Sequence, residues 1–99
     1  MDKINILVVD DDVEIVYIIR KILAEEGFNV LEAYNGEEAL SLLSSQSVRL
    51  VILDIMMPKM NGLLATMKIR EKSNVPILIL SAKGEESDRV IGLTLSLIH

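Results

Sequence analysis

Three aspartates, Asp10, Asp11 and Asp12, follow the first apolar run of this sequence, Ile4 to Val9, and a fourth, Asp54, follows a later run, Leu50 to Leu53. Carboxylates held a few ångströms apart repel one another, so they either keep a proton at unusually high pH or hold a cation between them. The sequence has no cysteine and a single histidine, the terminal His99, so a metal here would sit on oxygen. That favours a hard divalent ion such as Mg²⁺. A lone Asp after a strand commonly does no more than cap the next helix, and Asp12 is read that way. Acids closing two separate apolar runs ask for a further explanation.

Whether those acids meet depends on the elements that carry them. Short runs rich in Val, Ile and Leu alternate with longer stretches of helical spacing and charge, the pattern of βαβ units. A first strand is expected at Ile4 to Val9. A first helix follows from about Asp12, with Ile15, Val16, Ile19, Ile22 and Leu23 on one face and Gly27 as its stop. Phe28 to Ala33 interleaves Asn29 and Glu32, which suits a less buried strand near a sheet edge. Asn35-Gly36 turns the chain into a second helix, about Glu37 to Leu43, and Ser44 to Ser47 read as loop. The third strand is Leu50 to Leu53. A third helix spans about Gly62 to Glu71, and Pro76 opens a fourth strand at Ile77 to Leu80. A fourth helix is expected from about Glu85 to Ser87, carrying Val90, Ile91 and Leu93.

Strands 1, 3 and 4 are nearly continuous apolar runs, as parallel strands covered on both faces require. The expected fold is therefore α/β, a doubly wound parallel sheet of flavodoxin-like type. Right-handed crossovers give the strand order 2-1-3-4, which places the first and third strands side by side. Ligands bind such sheets at the carboxyl ends of the strands, where these acids lie.

The strings ILVVDDD, LVILDIMMPKMNGL and ILILSAKGEESDRVIGL resemble, in order and separation, the response-regulator receiver domain of bacterial two-component signalling. The resemblance runs from Ile4 to about Leu95. It implies that Asp54 is phosphorylated by a sensor histidine kinase in the presence of Mg²⁺, with Mn²⁺ as an alternative. It further implies metal ligation by Asp11, Asp54 and the Met56 backbone carbonyl, with Asp10 acting through bound water. Ser81, placed at the end of the fourth strand, would bind the phosphoryl group and shift with it. No enzymatic turnover is implied beyond the chain's own phosphorylation and slow dephosphorylation. Asn61 departs from the family's usual Asp, although Asn also caps a helix. Pro58 and Gly62 fit turn chemistry, the methionines at 56, 57 and 60 are read as packing, Lys83 as a solvated loop residue, and His99 as a disordered end with no assigned role. Leu64 and Met67 widen the apolar arc of the third helix beyond one face, which marks either an exposed patch or a closer contact with a partner.

Beyond Leu95 the resemblance stops, because Ser96-Leu97-Ile98-His99 stands where the family continues towards a fifth strand bearing Lys and a fifth helix. On this reading residues 1–99 form one receiver domain that is incomplete at its C-terminus. Two expectations follow: an alternative function as an inert interaction or dimerisation module that does not switch, and a bare outer edge on strand 4. Leu95 to Ile98 would then extend the fourth helix or pair along that edge, giving a homodimer or swapped assembly. A phosphatase of haloacid-dehalogenase type fits less well, since its Asp-x-Asp pair would share one strand end.

Composition narrows the remainder. The 99 residues are 51% hydrophobic and 25% charged, which fits one globular domain, and the net charge of −5 argues against direct contact with nucleic acid. No apolar run reaches the roughly 20 residues of a membrane span, and a cytoplasmic location is expected.

Overall fold

The computed structural model describes residues 3–54, 62–82 and 93–98. Among them are five strands and three helices: β1 (Asn5–Val9), α1 (Val13–Glu25), β2 (Asn29–Ala33), α2 (Gly36–Ser45), β3 (Leu50–Asp54), α3 (Gly62–Lys72), β4 (Ile77–Ala82) and β5 (Leu93–Ile98). The sheet order is β2-β1-β3-β4-β5. Its first four strands are parallel and keep the 2-1-3-4 order that right-handed crossovers dictate.

Alternation along the central strands splits the core into two layers. Leu7, Val9, Val51, Leu53, Ile77 and Ile79 point to the side of α2 and α3, where Ala39, Ala65 and Ile69 meet them. Ile6, Val8, Ile52 and Leu80 point the other way, where Val16 of α1 closes over them. A strand buried on both faces has no position for a polar residue, which is why these runs are unbroken. β2 lies at the edge, as its interleaved polar residues require.

Helix ends follow local chemistry. Asp12 caps α1, its side chain accepting the backbone N–H groups of Glu14 and Ile15 at 2.9 and 3.4 Å. Gly27, at φ +94°, turns the chain out of α1 in the left-handed region that other residues rarely adopt. Asn35 caps α2 by accepting from Glu38 N–H at 2.8 Å, while Glu38 Oε1 returns to accept Tyr34 N–H at 2.7 Å.

Three expectations need correction. α2 continues through Ser44 and Ser45, which read as loop; their hydroxyls donate to the carbonyls of Leu40 and Ser41 at 3.0 and 3.1 Å and so remain compatible with the helix. Ile22 does not join the buried face of α1, because one helix over two strands buries only a narrow stripe, and it stands 58% exposed. The largest difference is at the end of the chain. Leu93, assigned to a fourth helix, begins β5, and of the two fates expected for Leu95 to Ile98 the pairing along the β4 edge is the one found, within the chain itself. β5 runs antiparallel to β4, in register from Ile77↔Ile98 to Ala82↔Leu93. A strand edge six residues long leaves a row of backbone donors and acceptors in need of partners, and the chain's own apolar tail supplies them. The outer edge of β4 is therefore occupied, and no second copy reaches it without displacing β5. The expected start of the fourth helix, with Val90 and Ile91, lies outside the described residues.

Candidate functional site

The register brings two acids together. Val9 of β1 pairs with Leu53 of β3, so Asp10 and Asp54, the next residue of each chain segment, stand at the same level on adjacent strands. Asp10 extends the β1–β2 pairing by one step, its N–H donating to Ala33 O at 3.1 Å. Its side chain is 1% exposed, the one buried carboxylate among the described residues. Its Oδ1 accepts the N–H of Asp12 at 2.9 Å. Its Oδ2 is fully buried and meets no donor among the described residues.

A buried carboxylate oxygen without a donor is costly if charged. Burial is the main cause that pushes the Asp10 carboxyl up to about 7, opposed by the Asp12 N–H. The charge of Asp54 raises it further, as does a hydrogen bond that Asp54 takes from the protonated form, and Asp11 adds the smallest contribution. At neutral pH the pair is thus poised between sharing a proton and sharing a cation.

Asp11 is half-buried beside this pair, and Asp54 is half-buried at the end of β3. Among the described residues no three acidic or imidazole side chains gather tightly enough to form a metal cluster. The pair of carboxylates is what the described chain brings together. Its chemistry fits a hard divalent ion nonetheless: the donors are all oxygen, and among the described residues Asp10 Oδ2 has no hydrogen-bond partner.

Asp54 pairs with Leu80 of β4, so Ser81 lies one step further along the neighbouring strand. Ser81 does not end β4, since pairing with β5 carries the strand to Ala82. Met56, Pro58, Asn61, Lys83 and His99 lie outside the described residues. A grouping that the sequence does not announce flanks the site on β2. There Glu32 accepts from Arg20 Nε of α1 at 3.2 Å and from the Tyr34 hydroxyl at 3.2 Å. Only the α1–β2 contact brings these three together, and separation along the chain gives no signal of it.

Comparison with known proteins gives this arrangement a family. The chain matches the response regulator receiver domain over residues 6–97. The transcriptional regulatory protein CpxR homolog of Haemophilus influenzae is 50% identical over 91 residues, which are 92% of this chain and 40% of that protein. CpxR of Escherichia coli K12 is 47% identical over the same length, covering 39% of that protein. The chain thus spans about two fifths of these relatives. Among solved structures, the response regulator TrrA of Thermotoga maritima, in complex with Mg²⁺-BeF, superposes with a TM-score of 0.73 at 39% identity, covering 89% of this chain and 76% of that one. The Francisella response regulator 1452 receiver domain gives 0.74 at 31% identity, covering 91% and 75%. With its strand order, its paired strand-end acids and a match across nearly its whole length, this chain belongs to the response-regulator receiver domain family.

Proposed function

We propose that residues 1–99 act as a phosphoacceptor domain in which Asp54 takes a phosphoryl group from a sensor histidine kinase. The observation that carries this reading is the Asp10–Asp54 pair: a half-buried carboxylate beside a fully buried one whose Oδ2 meets no donor among the described residues. Asp54 is the nucleophile because it reaches solvent, where a donor can approach in line, whereas Asp10 is sealed. One oxygen of Asp54 bonds to phosphorus as the bond to the donor breaks, leaving an acyl phosphate.

Asp11, Asp54 and the Met56 carbonyl would hold Mg²⁺, with Asp10 acting through water. When bound, the ion supplies positive charge against the phosphoryl oxygens. Asp10 then serves as a buried anion that has exchanged its proton for the field of the cation, and Asp12 fixes its orientation through the 2.9 Å bond. The position of Ser81, one step beyond the level of Asp54, supports a hydroxyl that meets the phosphoryl group and responds to it. A cytoplasmic location is part of the same reading, since a sensor histidine kinase would have to reach Asp54; among the described residues no helix is long and apolar enough to cross a membrane. The relatives are transcriptional regulators; this chain covers the part of them that would receive the signal, and direct contact with nucleic acid is not assigned to it.

Beryllium fluoride, a phosphoryl mimic, tests this reading together with Mg²⁺. Amide resonances of residues around Asp10, Asp54 and Ser81 should shift when both are added, beyond the effect of Mg²⁺ alone, and the shift caused by beryllium fluoride should be absent from the Asp54→Ala variant. A wild-type chain whose spectrum ignores both additions would instead be an inert interaction module.

A further inference from the structure

We propose that the amino ends of β1 and β3 form a second site, which binds the phosphate group of a free phosphate ion or of a small phosphate ester. This goes beyond the phosphoacceptor reading and does not depend on it. Lys3, Ile4, Asn5, Ser47 and Arg49 line a cavity of about 440 Å³ there, within the size range of small-molecule pockets. At the rise of a β-strand, the step from Asn5 to Asp10 puts this cavity about 17 Å from the acids at the other end of the sheet. That is about twice the Debye length at physiological salt, so exposed charges at the two ends are largely screened from each other.

Hydrogen bonds within the chain hold the walls in place. Asn5 Nδ2 donates to Ser47 O at 2.9 Å, which ties the start of β1 to the turn after α2 across 42 residues of chain. Asn5 Oδ1 accepts from Asn29 Nδ2 at 2.7 Å, and the Arg49 N–H donates to Asn5 O at 3.0 Å. The Asn5 amide is thus engaged on both sides, and Lys3, Arg49 and the Ser47 hydroxyl are the groups that can meet a ligand.

Charge selects the ligand. The chain carries a net charge of −5, yet among the described residues neither Lys3 nor Arg49 forms an ion pair. Two cations lining one cavity repel each other, and an anion between them relieves that repulsion. Guanidinium, ammonium and hydroxyl donors together suit the several oxygens of a phosphate group better than a single-atom anion. Ile4, 42% exposed, gives the cavity an apolar wall that the carbon skeleton of an ester would cover and a free ion would not.

The test follows amide resonances of the 99-residue chain, without Mg²⁺ and at fixed ionic strength, during titration with sodium phosphate, with glycerol 3-phosphate and with sodium chloride as control. Phosphate and ester should each shift the amides of Asn5, Ser47 and Arg49 along a saturating curve, with Kd on the order of 1 mM. Tighter binding of the ester would mark it as the occupant, and equal binding the free ion. Lys3→Gln and Arg49→Gln should each weaken binding by about five-fold and together abolish it. Lys68→Gln, at an exposed position of α3, should leave it unchanged. Shifts that never saturate, that chloride reproduces, or that survive the double variant would overturn the proposal.

Discussion

Asp10 and Asp54 close two neighbouring parallel strands at the same level, yet one carboxylate is sealed from water and the other reaches it. A backbone bond, Asp10 N–H to Ala33 O, carries the β1–β2 pairing one residue past β1. Burial then raises the affinity of Asp10 for a proton, and the proximity of Asp54 adds to it.

The first prediction concerns pH. The folded chain holds the Asp10 proton to about 7, whereas an unfolded Asp releases it near 3.8. Between these values the folded state binds more protons, so without metal this group's contribution to stability falls as pH rises, by up to about 1.4 kcal/mol per pH unit. Asp10→Asn keeps an acceptor for Asp12 N–H and removes the charge. Thermal unfolding in a chelator should show the variant more stable than wild type at pH 8 and similar to it near pH 4. Mg²⁺ should raise the melting temperature of wild type at pH 8 and leave that of the variant nearly unchanged.

Core and surface apolar residues should separate sharply. Leu53 is fully buried next to the site, and Leu53→Ala should cost about 2 to 5 kcal/mol in urea unfolding. Met67 is 62% exposed on α3, and Met67→Ala should change stability by no more than about 0.5 kcal/mol. Equal losses at the two positions would mean that the exposed apolar face of α3 is covered in solution.

Asn35 caps α2 with its side chain, and Glu38 returns the bond to Tyr34. Asn35→Ala should cost about 1 kcal/mol and Asn35→Asp much less, measured by chemical denaturation at pH 7.

Gly27 sits at φ +94° with open space where a Cβ would stand. Gly27→Ala should therefore destabilise by about 1 kcal/mol through backbone conformation alone, and Gly27→Asn by less, since Asn tolerates that region better.

Much of this was legible in the sequence because apolar continuity reports burial on both faces. Val, Ile and Leu fill β1, β3 and β4 without interruption, the polar residues of β2 mark an edge, and right-handed crossovers then leave one strand order. Asp12, Asn35 and Gly27 announced helix ends through chemistry that acts within a few residues. The fate of the tail was harder to read. Val90, Ile91 and Leu93 have helical spacing, while Leu93, Leu95 and Leu97 alternate as a strand does, and a sequence alone does not decide which pattern governs a shared residue. The unpaired edge of β4, a demand made by residues 77–82, decides it. Which of Asp10 and Asp11 is buried was likewise not written locally, because it depends on what packs around the end of β1.

The most direct measurement is the intact mass of the chain treated with acetyl phosphate, with and without Mg²⁺, beside Asp54→Ala. The account predicts a single added phosphoryl group on the wild-type chain only when Mg²⁺ is present, and none on the variant. Labelling that persists in Asp54→Ala, or a wild-type chain that stays unmodified with Mg²⁺, would contradict it.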